Sequence, residues 1–144
     1  MKTLFNVIVL LIVFQLTACK DDKGETEGAE QIKMLTANTW ANAQVSHDDG
    51  DLSEQYTNFA IVFTSNPSNG FDGSFVISNG GYAFEENSGL WKFNDDFSMI
   101  IFDSGKEMVV ELSKDHLQLE FSVAAEAGKL LGTSGNFTFD LQPL

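Results

Sequence analysis

Basic residues in this chain are few and of one kind. All 8 are lysine, and arginine is absent. Against 21 acidic residues they leave a formal net charge of −13 at pH 7. A field of that sign repels phosphate groups, so nucleic acid and anionic lipid head groups are not expected as partners. The charge fits a soluble, self-repelling domain but identifies no ligand.

Cysteine and histidine are also scarce, which removes most sites of catalytic chemistry. Cys19 is the only cysteine, so no disulfide can form within the chain. His47 and His116 are the only 2 histidines, and neither accompanies a nucleophile elbow, a phosphate-binding loop or a dinucleotide-binding motif. The sequence therefore predicts no enzyme, no catalytic residue and no cofactor.

The first residues form a short apolar segment behind a positive charge. After Lys2, the apolar stretch runs from Leu4 to Leu16. Crossing a bilayer takes about 20 apolar residues, so this stretch is too short to span one. A positive start, a short apolar centre and small residues before a cleavage site are typical of a secretory signal peptide. Residues 1–18 are predicted to be that signal peptide and are excluded from the fold.

The end of this segment resembles a known processing site. Leu16–Cys19 (Leu-Thr-Ala-Cys) resembles the lipobox of bacterial lipoproteins, with a plain secretory signal as the alternative. The resemblance implies lipidation of Cys19, which becomes the first mature residue and anchors the protein through palmitate-type acyl chains. The following Lys20–Lys23 resembles the export signal of surface lipoproteins in Bacteroidetes. It implies an outer-membrane protein exposed at the cell surface, or alternatively one on the periplasmic face.

The remaining chain divides into a polar linker and one domain. Residues 19–30 contain almost nothing apolar, which predicts a flexible acidic tether. A short helix is expected from about Ala29 to Leu35. Residues 31–144 have the usual length of a single domain.

Within that domain the apolar residues recur with a period of two. Leu117–Val123 alternates almost without interruption, and Phe137–Leu141 repeats the pattern. Such alternation indicates strands with one buried and one solvated face, as in an antiparallel sheet. Turns rich in glycine and asparagine separate eight predicted strands, which begin at about Asn38, Asn58, Asp72, Ser88, Phe97, Lys106, His116 and Gly135.

The short links predict that consecutive strands pair as an up-and-down meander. Eight such strands can close into an antiparallel β-barrel, which leaves no open edge, and a β-sandwich is the alternative. The segments Leu35–Trp40, Gly89–Asp96, Val110–Leu119 and Gly135–Phe139 resemble those of the lipocalin-like lipoproteins of Bacteroidetes. The resemblance implies a lipocalin-like barrel and, loosely, ligand binding.

The chain departs from true lipocalins around the first-strand tryptophan. Asn38 stands where they have glycine, and the arginine that covers their tryptophan has no counterpart here. Trp40 is therefore expected only to plug the barrel floor.

Aromatic residues are the most abundant candidates for a binding site. The chain has 13 phenylalanines and 2 tryptophans. In a hollow barrel they would line a cavity of at least about 300 Å³ for a small apolar or amphipathic ligand. In a filled barrel they would form the core, and the domain would instead bind another cell-envelope protein through its loops or outer face. The predicted pocket residues are Trp40, Phe63, Phe75, Trp91, Phe93, Phe121 and Phe139.

One acidic segment has oxygen ligands at a spacing that calcium could use. His47–Asp51, followed by Ser53 and Glu54, places several carboxylates around a glycine. The spacing does not match an EF-hand loop, so a solvated acidic loop is favoured and no metal site is predicted.

Overall fold

Alternating apolar residues close the described part of the chain into a barrel. The computed structural model describes residues 23–125 and 134–144. It contains a closed eight-stranded antiparallel barrel, one additional strand and a short helix before the first strand. The predicted barrel is thus confirmed over the alternative sandwich.

The elements follow one another in a simple order. Helix α1 spans Lys23–Thr36, and a 3₁₀-helix spans Ser53–Tyr56. The strands are β1 Thr39–His47, β2 Gly50–Asp51, β3 Ala60–Ser68, β4 Phe71–Ser78, β5 Ser88–Phe93, β6 Met99–Phe102, β7 Glu107–Leu112, β8 Leu117–Val123 and β9 Gly135–Pro143.

Each long strand pairs with its neighbour in sequence, as the short links predicted. The order is β2-β1-β3-β4-β5-β6-β7-β8-β9, and an additional β1–β9 pairing closes the barrel, with Val45 opposite Phe139. Strand β2 was expected as a turn. Its two residues instead pair with the end of β1, Asp51 opposite Ser46, and extend the barrel at this rim.

Helix α1 is longer than predicted. It begins at Lys23, so the prediction of a flexible tether was wrong for residues 23–30. Tertiary packing explains the difference: Gly28 is buried, and a Cβ atom on it would overlap the ring of Phe97. The signal peptide, Cys19 and residues 20–22 lie outside the described residues. Among those described, no helix is long and apolar enough to cross a membrane.

The helix covers one end of the barrel, called here the floor. Leu35, in its last turn, and Trp40, at the start of β1, are both fully buried. Nε1 of Trp40 donates a hydrogen bond to the carbonyl oxygen of Leu35 at 2.8 Å. Trp40 thus lies at the floor, where the sequence placed it. The opposite end, where the connection 79–87 lies and where β8 ends and β9 begins, is called the mouth.

Gly73 of β4 is expected to tolerate no side chain. A Cβ atom on it would overlap the carbonyl oxygen of Thr64 and lie 2.8 Å from Nε1 of Trp91. Because a strand backbone and a buried indole cannot yield cheaply, Gly73→Ala should lower the free energy of unfolding by about 2 kcal/mol or more. Urea unfolding measures this change. Ser78→Ala, at the exposed end of the same strand, should cost less than about 0.5 kcal/mol, and equal effects would contradict the close packing.

Candidate functional site

The structure places all seven predicted pocket residues inside the barrel, where they are buried. Six of them have rings in contact with other rings, and Trp40 belongs to the same hydrophobic cluster. Trp91 lies 5.5 Å from Phe63 and 5.4 Å from Phe93, measured between centroids. Phe121 stacks on Phe139 at 5.8 Å. The seven therefore form a packed aromatic core among the described residues, and their role in lining a ligand pocket stays a prediction.

Open grooves lie on the outside of the barrel among the described residues. One of about 380 Å³ includes Phe93, and one of about 340 Å³ includes Phe121. A third, of about 500 Å³, lies between α1 and the β7–β8 turn and includes Met34 and Lys114. These grooves involve only Phe93 and Phe121 of the predicted set, at the edges of the core.

The mouth is closed from within by a residue that the sequence analysis did not single out. Phe84 belongs to the connection 79–87 between β4 and β5, yet only 2% of it is exposed. Its ring centroid lies 5.4 Å from that of Phe59, 5.0 Å from that of Phe121 and 5.3 Å from that of Phe139. A loop residue thus fills the mouth half of the core.

Local bonds fold this connection inward. The N–H of Phe84 bonds the carbonyl oxygen of Gly80 at 3.3 Å, which forms a tight turn. Gly81 has φ +58° and lies against the ring of Tyr56, a position that favours glycine. The side-chain amide of Asn79 donates to the carbonyl oxygen of Asn58 at 2.8 Å. Between these fixed points the chain turns back and places Phe84 in the barrel.

Lys106, in the neighbouring connection between β6 and β7, holds the same connection in place. Its Nζ donates a hydrogen bond to the carbonyl oxygen of Ala83 at 2.8 Å. The ammonium also lies 4.4 Å from the ring centroid of Phe121 and 5.3 Å from that of Phe84. Burial lowers the pKa of Lys106, while the nearby charges of Glu86 and Glu85 act to raise it. The mouth thus contains a partly buried cation over two aromatic rings.

Tyr56 completes the wall beside Phe84. Its ring meets that of Phe139 edge-on at a centroid distance of 4.9 Å. Burial raises the pKa of Tyr56, and a hydrogen bond with the backbone of Ala83 acts in the opposite direction. Ala83 therefore has polar contacts with both Tyr56 and Lys106.

The rim across the mouth contains the segment considered for calcium. The carboxylate of Asp48 accepts a hydrogen bond from the N–H of Asn136 at 2.8 Å, which lowers the pKa of Asp48. This contact stabilises the fold above the ordinary pKa of 3.8 and is lost as the pH falls through the lower folded-state value. The carboxylate of Asp51 accepts hydrogen bonds from the hydroxyl group and from the N–H of Ser53, which lower the pKa of Asp51. Among residues 23–125 and 134–144, no three His, Cys, Asp or Glu residues are grouped so as to hold a metal ion.

Both histidines have polar partners, and the ring of His47 also lies 4.5 Å from that of Phe137 between centroids. Both ring nitrogens of His47 have partners: Nδ1 accepts from the N–H of Asp49 at 3.1 Å, and Nε2 lies 3.0 Å from the carbonyl oxygen of Ser134. His116 is half-exposed, and its Nε2 lies 2.8 Å from a carboxylate oxygen of Asp140.

Comparison with known proteins finds no family model that matches the chain and no curated protein that is similar to it. The site therefore has to be judged from its own residues. The residues that the sequence analysis missed at the mouth are Tyr56, Phe59, Phe84 and Lys106. One signal was available for Phe84: with Ala83 it forms an apolar pair in a connection otherwise rich in glycine, asparagine and glutamate.

Proposed function

We propose that this protein is an envelope lipoprotein, anchored through Cys19 at the outer membrane, that binds a small apolar or amphipathic ligand in the mouth half of its barrel. The observation that carries the proposal is the position of Phe84, a loop residue whose ring occupies the interior among Phe59, Phe121 and Phe139. The lipobox resemblance of Leu16–Cys19 supports the anchor.

The neighbours of Phe84 differ in how firmly the fold holds them. Phe121 and Phe139 lie on β8 and β9, and β9 pairs with β8 along the whole length of β8. Phe84 lies in a connection held by the contacts of its turn and by Lys106, and connections in general open at lower free-energy cost than strands. When the connection moves outward, the vacated space is lined by rings. A ligand that fills it replaces the contacts that Phe84 loses.

In this arrangement, the free-energy cost of moving the connection 79–87 outward lowers the apparent affinity for the ligand. A site that is free only in a fraction of molecules binds with an apparent Kd raised by the inverse of that fraction. The same arrangement keeps the apolar rings of the empty protein out of water. A surface-exposed protein with an open aromatic cavity would present a hydrophobic patch that promotes nonspecific association.

Mass spectrometry of the protein purified from a bacterial envelope tests both halves of the proposal. The denatured chain should have the mass of a polypeptide that begins at Cys19 and carries acyl chains. Under native conditions, the chain from residue 20, exported without its anchor, should show an additional mass that organic solvent releases. This form contains every described element. A folded protein that shows no bound molecule, and whose melting temperature does not change with added amphiphiles, would contradict the ligand.

A protein partner is the second candidate, and one exposed ring favours it. Tyr82 lies on the same connection as Phe84 and is 65% exposed. Exposed tyrosines are common anchors of protein interfaces. A clean mass without ligand, together with a specific complex that Tyr82→Ala disrupts, would favour an envelope protein as the partner.

A further inference from the structure

We infer that the mouth site takes a small anionic amphiphile, a molecule that joins an apolar chain or ring to a carboxylate. The apolar part occupies the space of the Phe84 ring. The carboxylate accepts the hydrogen bond that Nζ of Lys106 now donates to Ala83. The inference rests on the proposed function, because it names the class of ligand for the same site.

Lys106 supplies the attraction for an acid group. Its ammonium lies 4.4 Å from the centroid of Phe121, where burial in the mouth disfavours the charged form. A charged acceptor binds an ammonium more strongly than a neutral carbonyl does, and the gain is larger where water is partly excluded. An incoming carboxylate is therefore a better partner for Nζ than the carbonyl oxygen of Ala83.

The segment that now fills the mouth already combines the features of such a ligand. Phe84 provides an apolar ring, and Ala83 provides the oxygen that accepts from Lys106. Glu85 and Glu86 follow directly and bring negative charge close enough to affect the pKa of Lys106. When the connection moves outward, Lys106 loses the acceptor. A carboxylate attached to an apolar group replaces it, whereas a neutral apolar molecule leaves the cation without a partner.

The overall charge of the chain makes this contact selective. A net charge of −13 repels an approaching anion at long range. Binding of an acid therefore depends on the short-range contact inside the mouth and not on electrostatic steering. Anions without an apolar part gain nothing from the rings of Phe59 and Phe139 and are not expected to bind.

Three molecules that share one alkyl chain test the inference. Binding of decanoate, decan-1-ol and decylamine to the chain from residue 20 is measured by titration calorimetry at pH 7.5 after removal of bound lipid. We expect decanoate to bind about 10-fold or more tightly than decan-1-ol, as one charge-assisted hydrogen bond provides. Decylamine should bind most weakly, because its ammonium meets Lys106.

Lys106→Met and Lys114→Met form a matched pair of variants. Methionine at 106 keeps an apolar stem over the rings but removes the charge, so the preference for decanoate over decan-1-ol should disappear. Lys114 is exposed at the floor end, and its substitution should leave the preference unchanged. Circular dichroism and melting temperature report whether each variant folds. If Lys106→Met does not fold, the comparison of the three molecules on the unaltered protein still decides the inference.

The outcomes separate the inference from the proposed function. Equal binding of decanoate and decan-1-ol overturns the anionic class but keeps a ligand in the mouth. A preference for decanoate that persists in Lys106→Met overturns the assignment of Lys106. If none of the three molecules binds the folded protein, both the inference and the ligand-binding function are rejected.

Discussion

Replacing Phe84 with alanine should leave a cavity in the mouth half of the barrel and create a binding site for small apolar probes. Removing a fully buried phenylalanine ring typically costs about 3–5 kcal/mol, and the lower end is expected here because the loop can partly collapse. The vacated space is lined by Phe59, Phe121 and Phe139. Urea unfolding measures the loss of stability. The fluorescence of an anilinonaphthalene sulfonate measures the gain in binding, which we expect to be at least about 10-fold.

A neighbouring residue provides the control for this variant. Tyr82 lies on the same connection but is 65% exposed, so Tyr82→Ala should change the free energy of unfolding by less than about 0.5 kcal/mol. It should also leave probe binding unchanged. If Phe84→Ala loses stability without binding the probe, the space has closed and the mouth is not a latent site. If stability is also unaffected, the ring does not support the core.

Trp91→Ala should be the most destabilising substitution in the floor half of the core. Trp91 is fully buried, meets Phe63 and Phe93 edge-on, and donates a hydrogen bond through Nε1 to the carbonyl oxygen of Thr64 at 3.3 Å. Its removal leaves a cavity, and we expect a loss of about 3–5 kcal/mol. Since single domains are stable by only about 5–15 kcal/mol, urea should unfold the variant at a far lower concentration.

Trp91→Phe separates the packing of this residue from its hydrogen bond. The smaller ring keeps most of the contact with Phe63 and Phe93 but cannot donate to Thr64, so about 1–2 kcal/mol should be lost. If Trp91→Phe lowers the free energy of unfolding as much as Trp91→Ala does, the hydrogen bond contributes more than the packing, which would contradict the account of an aromatic core.

The barrel could be predicted because the repeating pattern of each strand lies in consecutive residues. Leu117–Val123 alternates between buried and exposed positions, and the structure contains a strand over those residues. Closure followed from the short links, which force neighbours to pair. Strand β2 could not be predicted in this way, because Gly50 and Asp51 form a strand only through pairing with β1.

The mouth could not be predicted because its residues meet only after the barrel has formed. Phe84 and Lys106 come from different connections, and neither belongs to an alternating run that would mark it as internal. Lys106 was assigned only as the approximate start of a strand. Its position over Phe121 depends on the pairing of β7 with β8, which brings three separate segments together.

The composition of residues 23–30 also led to a wrong prediction, because it indicated a flexible linker where α1 begins. Residues 23–30 are polar, and polar stretches are usually solvated linkers. What composition does not show is that Gly28 allows the ring of Phe97 to approach the helix backbone. The helix is therefore ordered by contact with the barrel and not by its own apolar stripe, which begins only at Ile32.

If the protein is anchored through Cys19 as proposed, the packing of α1 across the floor determines which end of the barrel faces the membrane. Residues 20–22 alone connect Cys19 to Lys23, a stretch that reaches at most about 14 Å even when extended. In the proposed lipoprotein, acyl chains on Cys19 would keep the floor near the lipid, and the mouth would face the aqueous phase. Such an orientation would suit uptake of molecules from the medium and not their extraction from the bilayer.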